Sequence, residues 1–380
     1  MMVQGEERLP VTLLTGFLGS GKTTLLNAWL RTTELAGAAV IVNEFGEVGI
    51  DHALIASSDD RTIELSTGCL CCTVRGDLVD TLRELTEKRA SGKIRAFDRL
   101  VIETTGLADP APVIQALMTV PVVVRYRLNQ VITTVDAVTG LATLGRQPEA
   151  VKQAAVADEI IVTKTDLADD PAAATLTERL RALNPGARLH VSQPGRMPMP
   201  SELATSDLYD PATKSIDVVR WLNAEAFTQE EEHEADEHGH SHGHHGSGHA
   251  HRHAHGHAHA HRHDPNRHDK NIGSFCLTYG EPLAWEHVAT WLDALVVAHG
   301  PDLLRVKGIL DIEGRDQPIV LQAVQHLFHP PTMLPEWPAG PRRSQIVFIT
   351  RGLSREFVAA VLDTVRGRSL AADPQRPPSS

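Results

Sequence analysis

Between about residue 9 and about residue 192, short apolar runs alternate with longer stretches in which apolar positions recur every three or four residues. The runs at 11–15, 38–43, 62–66, 98–103, 129–135, 158–163 and 187–191 predict strands, and the intervening patterns predict helices over 22–34, 74–90, 110–118, 148–156 and 172–183. Leu78, Leu82 and Leu85 form one stripe of the second of these helices. Buried strands alternating with helices define the α/β class, a parallel sheet with helices on both faces. A second patterned region, 271–366, offers a strand at 272–279, an amphipathic helix over 283–298, strands near 303–313 and 317–325, a strand at 344–350 and a helix at 354–366. That succession predicts a small α+β domain. The bridge 193–229 carries little periodicity. Residues 230–270 cannot bury a core: an acidic cluster opens them and they hold 15 of the chain's 21 histidines, mostly at every second position. They predict a disordered linker, and the tail 367–380 is expected to be disordered as well.

Composition narrows the classes of function. With 380 residues and 42% hydrophobic positions, two domains and an appendage are expected. A formal net charge of -12 without a basic stripe argues against nucleic acid as a partner. No apolar run approaches the ~18 residues of a membrane span, and the opening MMVQGEERLP lacks the basic-then-apolar pattern of a secretory leader. A cytoplasmic protein with no membrane association is therefore predicted. Its four cysteines, Cys69, Cys71, Cys72 and Cys276, are too few and too clustered for a disulfide framework.

GFLGSGKTT, Gly16 to Thr24, satisfies the phosphate-binding pattern G-x-x-x-x-G-K-[ST] between a predicted strand and a predicted helix. In such a P-loop, Gly16, Gly19, Ser20, Gly21 and Thr24 turn backbone N–H groups toward an anion at a helix N-terminus, Lys22 reaches the β- and γ-phosphates, and Thr23 ligates Mg²⁺. Glu103 ends the strand 98–103, where open α/β sheets bind ligands. It is a candidate for Mg²⁺ and for orienting the attacking water, and Gly106 is a candidate N–H donor to the γ-phosphate. TKTD follows another buried strand: Asp166 matches the N1–H and N2–H₂ donors of guanine, the stem of Lys164 can cover the base, and Thr163 stands where GTPases usually have Asn. The nucleotide expected is GTP.

Cys69, Cys71 and Cys72 put three soft ligands within four residues before a helix, a set that suits Zn²⁺, with Co²⁺ or Ni²⁺ as further candidates. Three thiolates leave the fourth position of a tetrahedral shell open. Upstream, NEFGEVGID (43–51) supplies Glu47 as a candidate carboxylate ligand, switch or hydrolytic residue, against the plainer reading of a solvated loop charge. His238, His240, His242, His244 and His245 open the histidine tract, a weak metal reservoir.

GFLGSGKTT, NEFGEVGID, GCLCC, ETTGLADP, VDA and TKTD together resemble the CobW family of P-loop GTPases, and LLRVKGILDIEG and LQAVQHLFHP are similar to that family's C-terminal domain. The resemblance covers roughly 9–192 and 271–366. It implies a GTPase domain whose Cys-x-Cys-Cys motif carries a metal and releases it to a client metalloprotein in a GTP-dependent step. Zinc delivery is the leading reading. Cobalt handling in cobalamin synthesis and a metal buffer with regulatory nucleotide binding are the alternatives. The client and the oligomeric state stay open.

Overall fold

The computed structural model describes residues 8–42, 62–64, 74–192, 196–203, 272–328, 331–338 and 340–367. Its first part is a seven-stranded sheet of β1 (Leu9–Gly16), β2 (Ala38–Val42), β3 (Thr62–Glu64), β4 (Arg99–Glu103), β5 (Tyr126–Asp136), β6 (Glu159–Thr163) and β7 (Arg188–Val191). The spatial order is β3-β2-β4-β1-β5-β6-β7, and every pairing is parallel. Around it lie α1 (Lys22–Leu30), α2 (Val74–Ala90), α3 (Ala111–Met118), α4 (Val122–Arg125), α5 (Gly140–Leu144), α6 (Pro148–Val156) and α7 (Asp170–Leu183). The strands read as continuous apolar runs because both faces are covered. Thus Leu14, Val40 and Val101 pack with Leu25, Leu26 and Trp29 of α1. Their strand neighbours Leu13, Ile41 and Ile102 pack on the other face with Leu82 of α2 and Ile114 of α3.

The predicted helix 22–34 stops at Leu30, because Thr32 donates from both its N–H and its hydroxyl to the carbonyl of Trp29, and a 3₁₀ turn, Thr33–Leu35, follows. The four- and five-residue helices α4 and α5 are too short to leave a periodic signal. Of the bridge, 196–203 is described: the Trp29 indole donates to the carbonyl of Pro198 (2.8 Å), and Met197, Met199 and Leu203 pack on the α1 side.

The second part is antiparallel: β8 (Ile272–Tyr279), β9 (Leu303–Leu310), β10 (Ile319–Val324), β11 (Leu327–Phe328), β12 (Thr332–Met333) and β13 (Ser344–Arg351), with α8 (Trp285–His299) and α9 (Arg355–Val365) on one face. Alternation along its strands serves two cores. Phe275, Leu321, Ile346 and Phe348 face α8 and α9, whereas Cys276, Val320 and Val347 join the core that contains Tyr126, Leu128 and Val156 of the first part. The two parts are therefore fused through a shared apolar layer, and Cys276 is a core residue of it.

One polar cluster sits in that layer. Asp158 accepts from Arg305 and from Lys307 Nζ (2.9 Å) of β9, and from the backbone N–H of Val131 (2.9 Å). All three charged side chains are buried. Burial alone would raise the Asp158 carboxyl, but the two cations hold it below its ordinary value. Burial lowers Lys307 to about 8, against the pull of Asp158.

Candidate functional site

Four loops converge at the C-terminal edge of the parallel sheet. The first follows β1. Gly16 has φ 142°, and a Cβ there would lie 2.5 Å from the carbonyl and hydroxyl oxygens of Thr134, so only glycine lets β1 turn this tightly against β5. Ser20 and Thr134 share a hydroxyl hydrogen bond of 2.7 Å, and Lys22 Nζ donates to the carbonyls of Gly16 (2.9 Å) and Phe17 (3.2 Å). Gly19 and Gly21 also have positive φ, 71° and 93°, and α1 starts directly after Gly21. Its N–H groups and positive dipole end therefore point at the loop. Thr24 is exposed on its first turn.

The second loop follows β4. Thr23 Oγ1 donates to Glu103 Oε1 at 2.7 Å, so the two side chains expected to serve Mg²⁺ are in contact. Hard oxygen donors of this kind, one hydroxyl and one carboxylate, suit Mg²⁺. Thr104 donates to Thr15 Oγ1 (2.8 Å), which ties this loop to β1. At Gly106 a Cβ would fall 2.6 Å from the backbone nitrogen of Leu18, so the loop lies directly on the P-loop backbone. Asp109 closes it by accepting from Ala111 N (3.0 Å) and pairing with Lys152 (2.7 Å).

The third and fourth loops follow β5 and β6. Thr163 is buried and donates to the carbonyl of Ser20 (2.7 Å), bracing the P-loop from the TKTD side. Lys164 adopts φ 56°, and its Nζ pairs with Asp136 Oδ2 at 2.7 Å. Asp136 also accepts from Val138 N (2.7 Å) and Thr139 N. Burial raises its carboxyl, but Lys164 and these backbone donors outweigh it and leave the group below its usual range. Asp166 is exposed two residues on, and Thr165 donates to the carbonyl of Ser192 (2.6 Å) at the end of β7.

Asp136 was within reach of sequence reasoning, since like Glu103 it ends a buried strand at the ligand-binding edge. Gln153, which donates to the carbonyls of Gly106 (3.2 Å) and Ala108 (3.0 Å), carries no motif. Glu47, Cys69, Cys71, Cys72, His238, His240, His242, His244 and His245 lie outside the described residues. Among the described residues no group of three or more His, Cys, Asp or Glu is arranged to hold a metal, and no helix is long and apolar enough to cross a membrane. Val42 pairs with Glu103 on one side and with Glu64 on the other, so β2 and β3 both end level with Glu103.

Such a sheet edge, with a P-loop, a carboxylate at the next strand end and a further loop after β6 braced on the P-loop, defines a P-loop nucleotide-binding protein of the α/β class. Residues 10–191 match the family described as CobW/HypB/UreG, nucleotide-binding domain, and residues 272–366 match the cobalamin synthesis protein cobW C-terminal domain. The chain belongs to the CobW family. It is 33% identical over 364 residues to the zinc chaperone YjiA of Escherichia coli K12, covering 94% of this chain and 99% of that protein. To the zinc-regulated GTPase metalloprotein activator 1 of Dictyostelium discoideum it is 32% identical over 247 residues, 55% of this chain and 50% of that one. The crystal structure of Zn(II)-bound YjiA GTPase from E. coli superposes with a TM-score of 0.66 at 29% identity, covering 95% of this chain and all (100%) of the other.

Proposed function

We propose that this chain is a GTP-hydrolysing zinc metallochaperone that loads client metalloproteins in the cytoplasm. The observation that carries the reading is the register of three adjacent strands. Val42 is level with both Glu103 and Glu64, so β2, the strand before Glu47, ends next to Glu103, and β3, the strand before Cys69, Cys71 and Cys72, ends one strand further out. In this reading a change at the γ-phosphate or its Mg²⁺ arises one strand from the first of these ends and two strands from the second. The similarity to proteins named zinc chaperone and zinc-regulated GTPase metalloprotein activator supports the same reading.

In this scheme Gly16 to Thr24 cradle the phosphates, Thr23 and Glu103 hold Mg²⁺, and Gly106 meets the γ-phosphate. Lys164 and Asp166 select guanine, with Thr163 bracing the P-loop. The three cysteines, with Glu47, hold Zn²⁺ as cargo, and the histidine tract gathers metal for them. A site tight enough to hold zinc needs an input to let it go. Switching a loop from 1:99 to 99:1 takes about 5.5 kcal/mol of differential nucleotide affinity. Steady-state GTP turnover with and without Zn²⁺, in the native chain and in Cys71→Ser, tests the proposal. Turnover that responds to zinc in the native chain and is blunted in Cys71→Ser is expected. Turnover that is near zero and flat throughout indicates a buffer instead.

A further inference from the structure

Two carbonyls of the loop that carries Gly106 are held by the same side chain. Gln153 on α6 is fully buried (0% exposed), and its amide nitrogen donates to the carbonyls of both Gly106 (3.2 Å) and Ala108 (3.0 Å). Its Oε1 is buried with no partner among the described residues, so the amide's hydrogen bonding goes to this loop. The same residue is anchored through its backbone, because its carbonyl accepts from Thr133 Oγ1 (2.8 Å) of β5. One position earlier, Lys152 Nζ reaches Asp109 Oδ2 (2.7 Å), onto which Gln325 of the antiparallel domain also donates (3.3 Å). At its far end α6 offers the carbonyl of Val156 to Arg305. The helix thus joins the Gly106–Asp109 loop to both domains.

The direction of those bonds matters electrostatically. A peptide carbonyl turned toward a γ-phosphate sets one negative oxygen against another, whereas an N–H stabilises the charge. Gln153 draws the carbonyls of Gly106 and Ala108 toward itself.

We propose that Gln153 is a positioning residue for GTP hydrolysis: it holds the carbonyls of Gly106 and Ala108 inward, away from the γ-phosphate, and so keeps Gly106 in place to present its own N–H. This rests on the reading of Gly106 given under Proposed function. A buried glutamine that merely satisfies two carbonyls would affect stability without distinguishing nucleotides. The test uses full-length Gln153→Glu, which sets a carboxylate against those carbonyls, and Gln153→Met, which keeps the volume without the donors. Asp109→Asn, which loosens the same loop from Lys152 without emptying buried space, covers the case in which the first two fail to fold. The readouts are kcat and KM for GTP, the affinities for GDP and for a non-hydrolysable GTP analogue, and the melting temperature. We expect kcat to fall about ten- to hundredfold in the Gln153 variants and a few-fold in Asp109→Asn. GDP affinity should stay within twofold while the analogue's preference over GDP is lost. Folded variants with unaltered kcat, or with equal losses for GDP and analogue, overturn the inference alone. A native chain that neither hydrolyses GTP nor distinguishes the analogue from GDP overturns the reading of the site, and this inference with it.

Discussion

Replacing Asp158 by Asn isolates the charge cluster that pins the antiparallel domain to the nucleotide-binding domain. In the native chain the Asp158 carboxylate accepts from both cations, and the side chains of Asp158, Arg305 and Lys307 are only 1%, 5% and 8% exposed. The substitution keeps the shape and removes the charge, which takes from a buried guanidinium and a buried ammonium the carboxylate that they share. Breaking a buried pair in this way costs about 3–5 kcal/mol, a large share of a total stability of about 5–15 kcal/mol. The dependence on pH carries a definite sign. Because Lys307 sits at about 8, below its ordinary 10.5, the folded chain gives up that proton before the unfolded chain does, and raising the pH between these values stabilises the fold. Without Asp158 the folded-state value drops further and the gain begins at lower pH. The penalty of Asp158→Asn is therefore smaller at pH 9 than at pH 6. Equilibrium denaturation at both pH values, followed by the fluorescence of buried Trp29 and Trp291, measures it. A penalty under about 1 kcal/mol at pH 6, or one that grows toward pH 9, would refute the picture of a dry, charge-paired interface.

Two further substitutions probe the nucleotide site. Gly106→Ala forces a Cβ to within 2.6 Å of the P-loop backbone at Leu18. It should cut GTP turnover about a hundredfold, as ångström-scale misplacement does, with GDP affinity by calorimetric titration nearly unchanged; equal loss of both would place Gly106 away from the γ-phosphate. Asp136→Asn removes the partner that holds Lys164 at 2.7 Å and should weaken GTP and GDP alike by about tenfold, the worth of a charged hydrogen bond, with kcat preserved. A selective loss of kcat would assign Asp136 to the chemistry rather than to the base.

What could be read ahead of the structure was whatever leaves a local pattern. The P-loop, the carboxylate closing β4 and the succession of strand and helix all follow from periodicity and spacing within a few dozen residues. The end of α1 at Leu30 did not, because it turns on two hydrogen bonds from Thr32 rather than on any change in hydrophobic pattern. Gln153 was equally silent: in sequence it is a polar residue in an amphipathic helix, and only the fold brings it to Gly106, 47 residues away. The Asp158 cluster joins residues 147 and 149 apart in sequence, and a lone Arg or Lys in a strand predicts no partner. The antiparallel strands posed a subtler problem. Their apolar residues on both faces are explained by a sheet wedged between its own helices and the first domain, which the local pattern does not reveal.

In the proposed scheme the γ-phosphate governs the metal site. This is tested most directly by measuring Zn²⁺ affinity of the full chain with a non-hydrolysable GTP analogue and Mg²⁺, with GDP and Mg²⁺, and without nucleotide, using a competing chromophoric chelator. Each tenfold change in affinity corresponds to about 1.4 kcal/mol of coupling. Zinc affinity is expected to differ at least tenfold between the GTP-analogue and GDP states, and Cys71→Ser to abolish the difference. Identical zinc affinity in all three states would contradict it.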